Sequence, residues 1–211
     1  MKYRYNKRKL KERPPKKERF PGRSPGKTPK GPHWKGASMT IECWILRMMR
    51  HYTRSKLGDA VMPCVTRLGD YGAIWIGLAA VMFLFRKGRR PAAALMTSLL
   101  IEAVLCNLIL KPLIGRPRPF EISRKVRPLI EPPKDRSFPS GHTASSIAAA
   151  ASLFLSGSPL WMGALPLALL ITWSRLYVCV HFVTDILGGI GAGLFSALAG
   201  NWLIRLVSKG H

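Results

Sequence analysis

His181 and Asp185 stand four residues apart, on one face of a helix, so the carboxylate could hold one imidazole nitrogen protonated and leave the other free to attack. The open alternative is that a carboxylate from elsewhere does this and Asp185 only caps its helix. Ser174-Arg175 lies just upstream. Earlier in the chain, Phe138 to Thr143 (Phe-Pro-Ser-Gly-His-Thr) reads as a tight turn at the mouth of an apolar helix. Unpaired backbone N–H groups at such a mouth attract an anion, and His142 adds a titratable proton to it. A third cluster is Lys111 followed by Arg118-Pro119. Lys111, Arg118 and Arg175 together make a cationic mouth whose members repel one another until a polyanion arrives, and guanidinium forks match phosphate oxygens. The expected chemistry is phosphoryl transfer through a phosphohistidine on His181, with His142 protonating the departing oxygen. Glu121, Glu131, Asp135 and Asp185 are scattered among cations, so neither a two-metal carboxylate cage nor any other cofactor is expected.

These clusters need elements that bring them to one place, and the hydropathy pattern supplies them. Apolar runs predict spans over Asp70 to Phe85, about Pro91 to Leu113, Gly141 to about Ser156, then after a break at Gly157 and Pro159 to about Val178, and Val183 to Val207. Alternation of direction puts the three clusters on one membrane face. Ser38 to about Lys56 carries Ile41, Trp44, Ile45, Met48 and Met49 at helical spacing beside Arg47, Arg50, Arg54 and Lys56. It is expected to lie in the interface or to pack on the protein. The fold class is therefore all-α: a polytopic membrane helix bundle of about five transmembrane helices plus an N-terminal interfacial amphipathic helix. Glu102, in mid-span, should face the bundle interior with a partner, as a functional or a structural group. Gly189-x-x-x-Gly193 favours close helix contact.

The chain of 211 residues carries a formal charge of +24, and half of that excess lies in residues 1–36, where 14 Lys or Arg face Glu12 and Glu18 among six prolines. Such a segment cannot bury enough apolar surface to offset its ordering entropy. Residues 1–37 are expected to be a disordered basic arm whose partner is anionic lipid head groups rather than nucleic acid, or which has no specific partner. Gly22 to Thr28 is one residue short of a phosphate-binding loop and lacks its strand and helix. Cys43, Cys64, Cys106 and Cys179 are too far apart for a zinc site and read as packing residues. No signal peptide is visible ahead of the first span.

The spacing Lys111-x6-Arg118-Pro119, Pro139-Ser140-Gly141-His142 and Ser174-Arg175-x5-His181-x3-Asp185 resembles the three-part signature of the type 2 phosphatidic acid phosphatases, relatives of the vanadium haloperoxidases. The resemblance implies His181 as nucleophile, Asp185 as its orienting partner and His142 as acid on the leaving group. It also implies that Lys111, Arg118, Ser140, Gly141 and Arg175 bind the phosphate, and that residues 38–211 form a membrane phosphatase domain. Its lipid-phosphatase branch implies a substrate such as phosphatidic acid, phosphatidylglycerol phosphate or a polyprenyl diphosphate. The competing readings are a lipid phosphotransferase using the same site and a non-catalytic lipid-binding or scaffold protein. The positive-inside rule, applied to the arm, favours a multi-pass plasma-membrane protein with a cytoplasmic catalytic face. A sixth span over Ser38 to Lys56 would reverse that.

Overall fold

The computed structural model describes residues 37–209, so the basic arm expected over 1–37 lies almost wholly outside the described residues. Among the described residues nine α-helices follow one another: α1 (Ala37–Thr53), α2 (Lys56–Leu68), α3 (Ala73–Phe83), α4 (Arg89–Ala103), α5 (Lys111–Ile114), α6 (Pro119–Ile122), α7 (Gly141–Leu155), α8 (Trp161–Tyr177) and α9 (Val183–Lys209). A π-helical segment, Val104–Leu110, joins α4 to α5. There is no strand among the described residues.

Small residues decide the packing. α7, rich in Ala and Ser, buries ten of its fifteen residues, and it lies against α9, α8 and α4. Where α9 crosses it, a Cβ on Gly193 would fall 2.5 Å from the Ala144 carbonyl oxygen, and one on Gly189 2.8 Å from that of Ser140. Only glycine permits that approach, so the Gly189-x-x-x-Gly193 spacing does bring two helices together. Buried hydroxyls tie the other helices to α7: Trp75 Nε1 donates to Ser146 Oγ (3.1 Å), Ser98 Oγ to Ser152 Oγ (3.2 Å) and Asn201 Nδ2 to the same Ser152 Oγ (2.9 Å). Around them Trp75, Leu95, Leu153 and Ile171 fill an apolar core.

The five apolar segments are helical within a few residues of their expected bounds. Among the described residues two helical stretches, Arg86–Ile122 and Val183–Ser208, are long and apolar enough to cross a membrane. α3, α7 and α8, at 11, 15 and 17 residues, fall short of the roughly 20 that a straight crossing needs. Glu102 is buried, as expected, and one of its carboxyl oxygens makes no hydrogen bond. The cysteines are free, and all but the exposed Cys64 pack in the interior.

The N-terminal helix packs on the protein. Met39, Cys43 and Leu46 bury against Val126, Leu176, Phe182 and Ile186, while Ile41 and Trp44 on its other side stay exposed. Its Glu42 reaches Arg116 and Thr184, and its Arg50 donates to the Tyr177 carbonyl (3.0 Å). Both parts of α1 therefore touch one end of the bundle, and the helix lies across that end. A second such helix, α2, follows over Lys56–Leu68, capped by Ser55 accepting from Gly58 N–H. The sequence reading left this segment without an element.

Gly193→Ala is expected to lower the thermal unfolding temperature of the detergent-purified protein, with the roughly 1–3 kcal/mol typical of overpacking. Gly191→Ala, whose Cβ would meet nothing within 4 Å, is expected to leave it unchanged or slightly raised. Equal effects at the two positions would contradict this packing.

Candidate active site

The α8–α9 connection places an imidazole where a carboxylate and a guanidinium flank it. His181 sits between Val180 and Phe182, one residue before α9 begins to be capped, and is 2% exposed. Its Nδ1 is 3.4 Å from Asp185 Oδ2, at the long end for such a contact, and its Nε2 is 3.2 Å from Arg118 Nη1. Burial pushes the imidazole pKa from 6.5 down to about 3; the Asp185 carboxylate, too far from Nδ1 for a formed hydrogen bond, opposes this, and the Arg118 and Arg175 cations add to it. A neutral ring follows, with Nε2 turned toward the cations.

Asp185 caps α9 and faces the imidazole. Its Oδ2 accepts from the Phe182 backbone N–H (2.8 Å), the reach-back of a capping box, and from Ser137 Oγ (2.5 Å). Its Oδ1 accepts from Arg116 Nη1 (2.6 Å). The alternatives left open by the sequence are therefore compatible: one side chain starts α9 and faces the imidazole.

The turn before α7 is fastened to the same place. Ser137 N–H donates to the Arg116 carbonyl (2.9 Å) and Ser140 N–H to the Asp185 carbonyl (3.1 Å). Ser140 stands at the N-cap position of α7 but makes no side-chain cap bond; its Oγ accepts instead from Thr143 Oγ1 (3.0 Å). By helix geometry, the N–H groups of Gly141 to Thr143 then have no intrahelical acceptor. Lys111 Nζ lies over this helix mouth, 3.5 Å from where a Gly141 Cβ would be. The π-helical segment aims it there, since Asn107 Oδ1 accepts from Lys111 Nζ (2.6 Å).

The expected cationic mouth holds an anion of its own, which corrects the picture of scattered acids. Asp135 accepts from Lys111 Nζ through Oδ2 (2.8 Å) and from Arg118 Nη2 through Oδ1 (2.7 Å). Partial burial would raise its pKa, but the two cations win and hold the carboxyl well below the usual carboxylate range. Arg175, 3% exposed, donates to Thr66 Oγ1 (2.5 Å) and comes within 3.4 Å of His142 Nε2, while its buried Nε has no hydrogen-bond partner. His142 Nε2 is also 2.9 Å from Asp70 Oδ1. Asp70 and Asp135 have side chains about half exposed (49% and 48%), so the mouth opens between them.

All eight residues singled out from the sequence thus lie at this end of the bundle. Asp70, Thr66, Arg116, Ser137 and Glu42 were missed. Asp70 had a signal, as a lone acid at the head of an apolar run, and Glu42 had one as the single acid of a basic helix. Among the described residues no three His, Cys, Asp or Glu side chains converge as metal ligands.

A family model described as the PAP2 superfamily matches residues 91–209, which contain every one of those eight positions. The chain belongs to the PAP2 superfamily. An undecaprenyl-diphosphatase of Sulfolobus acidocaldarius is 33% identical over 140 residues, which is 64% of this chain and 64% of that protein's length. Among solved structures, Aquifex aeolicus LpxE superposes with a TM-score of 0.66 at 28% identity, covering 76% of this chain and 94% of that one. A PAP2-type phosphatidylglycerolphosphate phosphatase from Bacillus subtilis gives 0.64 at 25% identity, over 84% and 89%.

An unfolded His181 takes up a proton near pH 6.5, the folded one only near 3. Its contribution to stability is thus complete above about 6.5 and is lost as pH falls between the two values. In thermal unfolding from pH 7 to pH 4, the wild type is expected to lose more stability than His181→Asn, by up to ~1.4 kcal/mol per pH unit. Parallel curves would contradict a neutral buried ring.

Proposed function

We propose that this PAP2 protein is an integral membrane lipid phosphatase that hydrolyses a lipid phosphate or diphosphate of the phosphatidic acid, phosphatidylglycerol phosphate or polyprenyl diphosphate type, through a phosphohistidine and without metal. The observation that carries the reading is the neutral His181 ring, held between Asp185 and Arg118 at the edge of a cluster where Lys111 and Arg118 already bind a carboxylate. The names of the similar proteins, an undecaprenyl-diphosphatase and a phosphatidylglycerolphosphate phosphatase, support the substrate class.

In this reading the phosphoryl group takes the place of the Asp135 carboxylate. Lys111, Arg118, the orphaned Arg175 Nε and the N–H groups after Ser140 receive its oxygens and stabilise charge on them in the transition state. His181 Nε2 attacks phosphorus, the bond to the lipid oxygen breaks, and the departing alkoxide, or phosphate from a diphosphate, takes a proton from His142. Asp185 steadies the Nδ1 proton as the ring becomes cationic. Water then gives a proton to His142 and attacks the phosphohistidine, so that inorganic phosphate leaves and both rings are restored.

The five apolar helices are read as five crossings, with α1 and α2 lying over the catalytic end. Large side chains on the outside support this: Phe83 of α3, Leu100 of α4, Phe154 of α7, Leu169 of α8, and Phe195 and Trp202 of α9 are all exposed. Short helices are accommodated by bilayer thinning and flanking basic residues. The arm and the catalytic end share the cytoplasmic side in this arrangement, and the plasma membrane is the proposed location. The arm's proposed partner is anionic lipid head groups.

Purified protein in mixed micelles with chelator present is expected to release phosphate from at least one member of a panel of diacyl and polyprenyl phosphates and diphosphates. His181→Ala should abolish this, and Arg118→Gln should cost roughly 100 to 1,000-fold. Full activity in His181→Ala would sink the nucleophile assignment. Asp135→Asn is expected to strengthen inhibition by orthovanadate several-fold, since the entering anion then has no carboxylate to displace; weaker inhibition would contradict the exchange.

A further inference from the structure

Arg116 and Arg118 are two residues apart in Arg-Pro-Arg-Pro, yet they serve different anions. Each precedes a proline, which keeps it extended, and Arg118 has φ −82 and ψ 159. Side chains two apart on such a polyproline-like stretch, with three residues per turn, point in different directions. Arg118 faces the mouth. Arg116 faces away from it, with Nη1 donating to Asp185 Oδ1 (2.6 Å) and Thr184 Oγ1 (2.5 Å), Nη2 to Glu42, and its guanidinium carbon 4.5 Å from the centre of the Phe182 ring.

Asp185 has no exposed side-chain surface, and a buried carboxylate without a cation is strongly destabilising. His181 is neutral and cannot supply that cation, so Arg116 does. A guanidinium has two ends, and the second is held by Glu42, whose other oxygen accepts from Thr184 Oγ1 (2.6 Å). Glu42 comes from α1, the helix laid across the catalytic end. The chain of contacts runs from α1 through Glu42, Arg116 and Asp185 to the ring of His181.

We infer that Arg116 is a positioning residue for His181, fixing the Asp185 carboxylate that orients the imidazole, and that Glu42 of α1 fixes Arg116 in turn. This rests on His181 being the nucleophile of the proposed phosphatase. Rate should therefore depend on the pair while phosphate binding does not.

The test compares Arg116→Gln, Arg116→Lys, Glu42→Gln and Arg118→Gln in the full-length protein. Arg116→Gln is expected to lower kcat about 100-fold with KM and the orthovanadate inhibition constant within about threefold of wild type, whereas Arg118→Gln weakens vanadate strongly. Arg116→Lys should recover part of the rate. Glu42→Gln should cost about tenfold and add little to Arg116→Gln, because the two act on one carboxylate. Vanadate weakened equally by Arg116→Gln and Arg118→Gln would make Arg116 a phosphate ligand and overturn the inference, as would an unchanged kcat. A readout free of turnover is the 15N spectrum of histidine-labelled protein, with the His181 signal identified by its loss in His181→Ala. Wild type is expected to hold the Nδ1-protonated tautomer and both Arg116→Gln and the milder Glu42→Gln to mix tautomers. Unmixed tautomers in both would overturn the inference even if the wild type hydrolysed none of the lipids, an outcome that would by itself reject only the phosphatase reading.

Discussion

A single buried carboxylate, that of Asp185, holds the three motif clusters together. It takes Arg116 from the first, Ser137 from the approach to the second, and Phe182 N–H and the His181 ring from the third. Its backbone carbonyl adds Ser140. Segments nearly seventy residues apart in sequence are thus referred to one charge, and that charge is tolerable inside the protein because both of its oxygens accept hydrogen bonds, one of them from a guanidinium. The carboxylate also lies in the first turn of α9, where the helix dipole favours it.

The bundle is shaped to keep that charge in place. Gly189 and Gly193 let α9 come so close to α7 that the Ser140 and Ala144 carbonyls rest where side chains would otherwise be. The helix mouth at Ser140 and the start of α9 are consequently rigid with respect to each other. Hydroxyl bonds at Ser146 and Ser152 fix α3, α4 and α9 around α7 deeper in the bundle. Apolar packing alone, between helices whose outsides are equally apolar, would leave rotation about their axes weakly determined; these few directional bonds determine it.

Much of this was legible in the sequence, and what was not has physical reasons. Continuous apolar runs marked five helices, because a helix hidden from water on all sides needs no polar face. α2 escaped because its apolar and polar residues are interleaved with Gly58 and Pro63, which argue against a helix although Pro63 is accommodated there. The eight residues singled out by type and spacing come together at one end of the bundle. Glu42, Asp70 and Arg116 were not singled out, since their roles come from long-range contacts: Glu42 meets Arg116 across 74 residues and Asp70 meets His142 across 72. No local pattern encodes which of two arginines in Arg-Pro-Arg-Pro turns inward. Side-chain direction there follows from tertiary packing against Phe182, and only the fold reveals it.

The mouth illustrates a wider constraint on clusters of cations inside a fold. Lys111, Arg118 and Arg175 sit close enough to destabilise the folded chain unless their charge is offset; Asp135 pairs with the first two from the rim, where water still reaches it, and Asp70 meets His142 beside the third. A carboxylate is well suited to that task. It carries one negative charge and two acceptor oxygens, enough to satisfy two cations, yet less than a phosphate dianion with three free oxygens offers to the same donors. The buried Nε of Arg175 is left over after both carboxylates are counted. In the proposed phosphatase, that leftover donor is what separates an ion-pair network that merely balances itself from one that a phosphate would satisfy better than the protein's own side chains do.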